Sequence, residues 1–341
     1  MREAYRFRLQ DKRSGSGMIV MDKRKSKFRW EGWESSGREN WVFGVEHPCE
    51  LMGVHAKLID KEINGSEKIG HCIYAPRVSS TSTPFGLKSE ESSWGVCVTD
   101  KRFIISQNRH TKGIEPSIVS IGFQDVIYFN IGSALLLSWF SITYFQDGQT
   151  NKLNILFSSN GKHHFAKAIR VYKKYCHPIN TDDFVLDTPT PASFIHKVTD
   201  SIYRNYLKTL MSAGEKCILT FFCQCVWEKA TRHKSLFGKR QSAYLTSKAT
   251  VLLTDKSLFI ARNSLDFSIG NSVDIQLIPL EKVKSILLLE ENIDNQMIHK
   301  LRVDFVNNDT SDIPLFSIDE KVRIFLNNIS GLLESTKKEK Y

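Results

Sequence analysis

One stretch of this chain is written twice. WGVCVTDKRFIIS (Trp94 to Ser106) returns as ATVLLTDKSLFIA (Ala249 to Ala261), and the likeness extends in the same order on both sides. Glu67-Lys68 matches Glu215-Lys216, Phe85-Gly86 matches Phe237-Gly238, and Thr99-Asp100-Lys101 matches Thr254-Asp255-Lys256. The offset drifts from 148 at Glu67/Glu215 through 152 at Phe85/Phe237 and 155 at Thr99/Thr254 to roughly 157 at Asp125/Lys282. Preserved order with a slow drift is the mark of a duplicated unit whose loops have changed length. The chain must therefore build one fold twice.

The motif's chemistry is that of a hairpin. Asp100 and Asp255 can bond their own downstream backbone at the turn, while the flanking Val, Leu and Ile fill alternating buried positions. Beyond the turn each copy continues with a β-rich stretch, SIVSIGFQDVIYFNI or DIQLIPLEKVKSILL, then an alternating strand pair and an apolar-periodic helix. Phe165, Ile169, Val171 and Tyr172 mark that helix in the first copy, and Val322, Ile324, Phe325, Ile329 and Leu332 in the second, where Asp319 supplies an acidic first turn. Each unit reads as about six or seven strands closed by one helix.

A length of 341 residues suits two domains, and 41% hydrophobic with 25% charged residues excludes a disordered chain or a coiled coil. The segment His177 to Phe194, with three prolines, marks the boundary, and the periodicity of Phe194, Val198, Ile202, Tyr206 and Leu210 predicts a helix after it. The resulting division is an N-terminal extension with short strands over 1–62, a first domain over 63–176, a linker and helix over 177–211, a second domain over 212–335 and a charged tail over 336–341. In the extension, GMIVMD, KFRWEGWES and NWVFGV are expected strands that dock on the first domain.

Ile131 to Phe145 is the one segment apolar enough to raise a membrane span, but it covers about 15 residues where a spanning helix needs about 20. Its β-branched and aromatic content predicts buried strands joined at Asn130 to Ser133. The N-terminus lacks the apolar run of a signal peptide. Seven scattered cysteines, mostly among apolar neighbours, point to reduced thiols in the cytoplasm.

The opening Glu-Lys strand, the Phe-Gly pair, the Thr-Asp-Lys hairpin and the Ile278 to Val283 stretch of the Ile-Pro-x-x-x-Val type together resemble the pleckstrin-homology-like superfold, in particular its bacterial PH-like and GRAM-like modules. The resemblance spans Ile63 to Tyr175 and Ser212 to Leu333. The first copy departs from it with Gly122-Phe123 where the second has Pro279-Leu280. It implies a strand-rich α+β protein of two PH-like barrels, each closed by a C-terminal helix, with the small N-terminal extension beside them. It also implies a binding platform and not an enzyme.

The residues agree with the second implication. The Gly-x-Ser-x-Gly, His-Glu-x-x-His, Walker and dinucleotide-binding signatures do not occur, and no cofactor is expected. Cys223-x-Cys225 has no second pair at zinc-finger spacing, so buried thiols are expected there; His163-His164 suits a helix start better than a shared metal site.

Charge carries the strongest functional signal. Between Phe222 and Arg262 stand eight basic residues against two acids, a net of +6 out of +10 for the chain. Lys229, Arg232, Lys234, Lys239 and Arg240 can converge on one multiply charged anion, with Arg bidentate and Lys as a point charge. The resemblance implies that this loop grips phospholipid headgroups, as in lipid-binding PH domains. The expected function is a cytoplasmic adaptor or scaffold, peripheral at the membrane. It binds a protein partner through tandem PH-like domains, with the basic loop on an anionic surface. A pI near 9.1 keeps a nucleic-acid-associated role in a bacterial multi-protein system as the alternative.

Overall fold

Both Thr-Asp-Lys segments form tight turns, and in both the threonine does the local work. Thr99 Oγ1 accepts the backbone N–H groups of Lys101 and Arg102, each at 3.1 Å. Thr254 Oγ1 accepts those of Lys256 at 3.2 Å and Ser257 at 2.9 Å. With the turn amides satisfied, the aspartates reach across to the opening strand of their own repeat. Asp100 accepts from Lys68 N–H at 3.0 Å and Asp255 from Lys216 N–H at 2.8 Å. The expected downstream bond of the aspartates is thus replaced by a clamp, made twice at equivalent positions.

The computed structural model describes residues 41–78, 92–109, 113–134, 136–175, 201–229, 244–262, 273–293, 296–315, 323 and 333. Before the first repeat come β1 (Phe43–Val45) and α1 (Val54–Glu62). The first repeat runs through β2 (Ile69–Ala75), β3 (Ser92–Thr99), β4 (Arg102–Arg109), β5 (Ser117–Gly122), β6 (Val126–Ala134), β7 (Leu137–Gln146), β8 (Gln149–Ser158) and α2 (Lys162–Lys173). Helix α3 (Ser201–Leu210) follows, then β9 (Cys217–Lys229), β10 (Tyr244–Thr254), β11 (Ser257–Arg262), β12 (Val273–Pro279), β13 (Val283–Ile293), β14 (Gln296–Phe305) and β15 (Thr310–Leu315). Of the closing helix expected in the second repeat, Arg323 and Leu333 are described; both are helical, and Leu333 is buried.

The strands form three sheets, in the orders β1-β2-β3-β4-β5, β8-β7-β6-β12-β11-β10-β9 and β13-β14-β15. Each repeat is a meander of four strands, a corner and a meander of three. Irregularities coincide as well. Cys217 pairs Thr254 and Leu219 pairs Leu253 around a bulge, as Ile69 pairs Thr99 and His71 pairs Val98. A second bulge separates Val126/Tyr144 from Tyr128/Thr143 and recurs between Val283/Phe305 and Ser285/Asp304. A bulge bends its strand and sharpens the local twist, so the matching bulges curve both repeats alike.

Two features differ from what the sequence suggested. Ile278 to Val283 is a corner and not a strand: β12 ends at Pro279, Leu280–Lys282 makes a 3-10 turn, and Val283 starts β13 in another sheet. Proline has no N–H to offer a ladder, which suits it to that exit. The corner of the first repeat is held in the same way, since Phe123 N–H donates to Lys101 O at 3.0 Å and Leu280 N–H to Lys256 O at 2.9 Å. In addition, no sheet closes into a barrel among the described residues. The three-strand half of the first repeat instead joins the four-strand half of the second.

That joint is the antiparallel pairing of β12 with β6, from Val273↔Ser133 to Leu277↔Phe129. Gly132 sits in it because a Cβ there would meet Trp139 at 2.1 Å and the Val273 carbonyl at 2.5 Å. Packing follows the strands: Leu252, Phe259, Ile275 and Leu277 of the second repeat lie in one apolar cluster with Phe103, Phe129 and Tyr172 of the first. Each such side chain, fully buried, contributes about 1.5–3 kcal/mol.

The apolar stretch after Asn130 forms β6 and β7, with β6 running through Asn130 to Ser133 as far as Ala134 and β7 starting at Leu137; Leu136, in the turn just before β7, stands 82% exposed. Among the described residues no helix is long and apolar enough to cross a membrane. Part of the expected N-terminal extension docks on the first repeat, as β1 pairs with β2. Helix α1, which the sequence did not suggest, is tied down by His55, whose ring nitrogens bond Ser106 Oγ at 2.8 Å and Ser93 Oγ at 3.0 Å. The strands expected before residue 41 lie outside the described residues.

Candidate functional site

The junction between the repeats is built from α2, α3 and the end of β6. Four of the apolar positions that predicted α2, Phe165, Ile169, Val171 and Tyr172, are buried. Helix α3 turns a slightly different face inward from the one its periodicity suggested. Tyr203, Leu207 and Leu210 are buried, while Tyr206 is only half-buried at the edge of that face.

A buried ion pair fastens the two repeats at this point. Lys173, from α2, and Glu215, just before β9, have fully buried side chains in direct contact. The same carboxylate accepts Ser212 N–H at 2.7 Å and Thr254 Oγ1–H at 2.6 Å. Lys173 also approaches the Leu210 carbonyl at 3.4 Å and lies over the Phe259 ring at 4.6 Å. In the first repeat the equivalent glutamate, Glu67, meets Arg102 at 2.8 Å instead. Burial pushes the Glu67 carboxyl up, but the Arg102 and Thr99 hydrogen bonds outweigh it and hold the group below its usual range. Position 257, equivalent to Arg102, is a serine. Glu215 therefore finds its cation in the other repeat.

Between them α2 and α3 leave a groove of about 270 Å³ lined by Ile131, Lys162, His163, Ala166, Tyr206 and Leu210, among others. Lys162 Nζ donates to the Tyr206 hydroxyl, lies within 3.4 Å of Ser133 Oγ and sits 4.3 Å from the Tyr206 ring centroid. The Tyr206 and Ser133 hydroxyls beside it carry no charge. The turn bearing Leu136 is bonded to the groove's rim, as Ser159 N–H donates to Leu136 O at 2.8 Å and Ser159 lines the groove. The groove thus brings together a cation, hydroxyls and apolar side chains, with the exposed Leu136 beside its rim.

A second inter-repeat clamp lies across the β6–β12 joint. Trp139 Nε1–H donates to Asp274 Oδ1 at 2.9 Å, and Arg262 lies 3.6 Å from the same carboxylate. Burial raises the Asp274 carboxyl above its usual range, against the pull of Arg262 and Trp139.

Histidines gather where α2 crosses the first sheet. His163 and His164 lie in the first turn of α2, as expected, with ring centroids 3.8 Å apart, and His71 of β2 stacks on His164 at 5.7 Å. Burial drives His71 down to about 3, helped by Lys167 and the two neighbouring imidazoles. His164 falls to about 4, chiefly through burial and then His163. The described residues contain no cluster of His, Cys, Asp and Glu arranged to hold a metal ion.

The basic loop is placed only by its anchors. β9 ends at Lys229, which pairs Tyr244 at the start of β10. Arg232, Lys234, Lys239 and Arg240 lie outside the described residues, as does the side chain of Lys229. The side chains of Cys223 and Cys225 lie outside them too, whereas Cys72, Cys97 and Cys217 are buried free thiols and Cys49 is an exposed one. The α2–α3 groove was not foreseen. The sequence periodicity puts Tyr206 on the buried face of its helix, and nothing in the sequence ties Lys162 to it.

Neither models of known protein families nor curated proteins match this chain.

Proposed function

We propose that this protein is a non-enzymatic adaptor of two PH-like domains that holds a protein partner at the junction of its repeats and rests its basic loop on an anionic surface such as phospholipid headgroups. The observation that carries this reading is the joint itself. β12 and β6 merge the two repeats into one sheet, and the groove opens where α2 and α3 cross it. A platform fused in this way keeps the groove and the β9–β10 anchors at fixed separation, which lets one chain present a partner to a surface. The groove's cation and apolar floor suit an acidic peptide segment, and the exposed Leu136 beside it adds apolar contact. Each basic residue near an anionic membrane is worth about 1 kcal/mol, so the five of the loop favour weak, reversible attachment.

The test has two arms on the intact protein. Flotation with phosphatidylserine-containing vesicles should carry the wild type and leave Lys234→Glu/Arg240→Glu behind. Photocross-linking from Thr209, in the groove wall, should give a discrete heteromeric adduct that Lys162→Glu removes. Flotation unaffected by the double substitution, together with no adduct sensitive to Lys162→Glu, would sink the reading. Binding of the wild type to duplex DNA in a salt-dependent gel shift, without flotation, would favour nucleic acid as the anionic partner.

A further inference from the structure

The two ends of β7 close with opposite chemistry. Gln146 pairs Gln149 and leaves a two-residue turn of Asp147 and Gly148, at φ 54° and 76°, the positive angles such hairpins favour. At the other end Ala134 pairs Leu137, and the two residues between them are both leucine. Of these, Leu136 stands 82% exposed. The fold does not require leucine there, because the equivalent hairpin of the second repeat, between Ile293 and Gln296, has Asp294 and Asn295 in sequence. We infer that the β6–β7 tip is a membrane wedge, with Leu136 entering the headgroup region of an anionic phospholipid bilayer.

The place of the tip in the sheet argues for this occupant. In the seven-stranded sheet β12 begins at Val273 opposite Ser133, and β11 ends at Arg262 opposite Asp274. Arg262 pairs Ala249 of β10, and from there β9 and β10 run on in the same direction to Lys229 and Tyr244. The tip therefore projects from the end of the sheet at which β9 leaves and β10 returns. The sequence from Lys229 to Tyr244 holds five Lys and Arg and no Asp or Glu. Positive charge draws that end of the sheet to anionic headgroups, while an exposed leucine gains by leaving water. A bilayer supplies both in one plane, headgroup charge above acyl chain.

The tip is held in place before it meets a membrane. Ser159 N–H donates to Leu136 O at 2.8 Å, which ties the turn to the start of α2, and β7 runs from the tip into the core through Phe140 and Ile142, both fully buried. A wedge fixed in this way has little conformational freedom left to lose on insertion. Lys162, three residues beyond Ser159, brings a cation to the same rim. The inference rests on the proposed attachment to phospholipid and assigns the apolar contact of Leu136 to the bilayer. A short apolar tip holds a membrane only together with basic residues, so the attachment stays reversible.

The experiment sediments the full chain with vesicles of phosphatidylcholine and phosphatidylserine. Leu136→Ala should lower the partition coefficient about 10- to 50-fold, as expected for three carbons withdrawn from a partly inserted side chain. Val306→Ala, at a residue 51% exposed just after β14, should leave it unchanged. Leu136→Trp should bind at least as well as wild type, and phosphatidylcholine brominated on its acyl chains should quench its fluorescence more than that of wild type. Thermal melts confirm that each variant is folded. Partition that Leu136→Ala leaves unchanged, with no added quenching in Leu136→Trp, overturns the wedge; the basic-loop attachment then still stands if Lys234→Glu/Arg240→Glu abolishes partition. No partition of the wild type overturns both. Loss of the Thr209 adduct in Leu136→Ala, with partition intact, gives the leucine to the protein partner and also overturns the wedge.

Discussion

Removing either member of the Lys173–Glu215 pair should destabilise the protein, and unequally. Glu215→Leu takes away the carboxylate that Lys173 holds and leaves the buried ammonium facing the Leu210 carbonyl at 3.4 Å and the Phe259 ring at 4.6 Å. Breaking a buried ion pair from one side costs about 3–5 kcal/mol, and this variant belongs at the upper end. Lys173→Met leaves a carboxylate that still accepts Ser212 N–H at 2.7 Å and Thr254 Oγ1–H at 2.6 Å. A charged acceptor that keeps two donors loses less, about 1–3 kcal/mol. The double variant removes both charges and should recover part of the Glu215→Leu loss. Guanidinium unfolding followed by tryptophan fluorescence and far-UV circular dichroism measures all three from the shift in midpoint. Because the pair spans the repeats, the two probes should stay coincident in the wild type. The reasoning fails if both single variants fall within about 0.5 kcal/mol of wild type, the range of ordinary surface changes, or if Lys173→Met is the more costly.

Three further outcomes follow. His71 is neutral in the fold, its pKa lowered to about 3, so its contribution is present above its ordinary value of 6.5 and lost as pH falls from there towards 3; at pH 4.5, His71→Phe should be less acid-sensitive than wild type by about 2–3 kcal/mol, read as the change in unfolding midpoint between pH 7 and 4.5. Thr254→Val leaves the Lys256 and Ser257 amides and Glu215 without the hydroxyl that joins them; thermal unfolding should show a loss of about 1–3 kcal/mol, with a smaller loss for Thr99→Val, whose turn is only part-buried. Gly132→Val drives a side chain into Trp139 and the Val273 carbonyl; limited proteolysis should then cut between the repeats at protease levels that spare the wild type.

The order of the strands was open to view in the sequence because turn and core residues recur with it. Thr99-Asp100-Lys101 and Thr254-Asp255-Lys256 announce hairpins, and the spacing of Phe165, Ile169 and Tyr172 announces α2. The partners of those residues were hidden. Side-chain alternation says which face of β6 is buried, but a backbone edge carries no side-chain signal, so the meeting of β6 with β12 could not be foreseen. The corner at Pro279 reads as strand in the sequence because its flanking residues are as apolar as those of β12. Helix α1 escaped notice since Lys57, Asp60 and Lys61 dilute its apolar stripe and its cap, Gly53, offers no side-chain bond. The groove depends on Lys162 of α2 meeting Tyr206 of α3, which tertiary packing alone decides. The concentration of positive charge between Phe222 and Arg262 was plain from composition, and its anchors at Lys229 and Tyr244 now place where it leaves the sheet.

Native-state hydrogen exchange of β12 tests the fused platform most directly. If β12 and β6 form one sheet, amides from Val273 to Leu277 that bond across the joint should exchange only through global unfolding, at the same free energy as the buried core of β11, and denaturant should move both together. Exchange of those amides through a local opening well below the global value, with β11 still protected, would show two repeats that merely touch and would contradict the account.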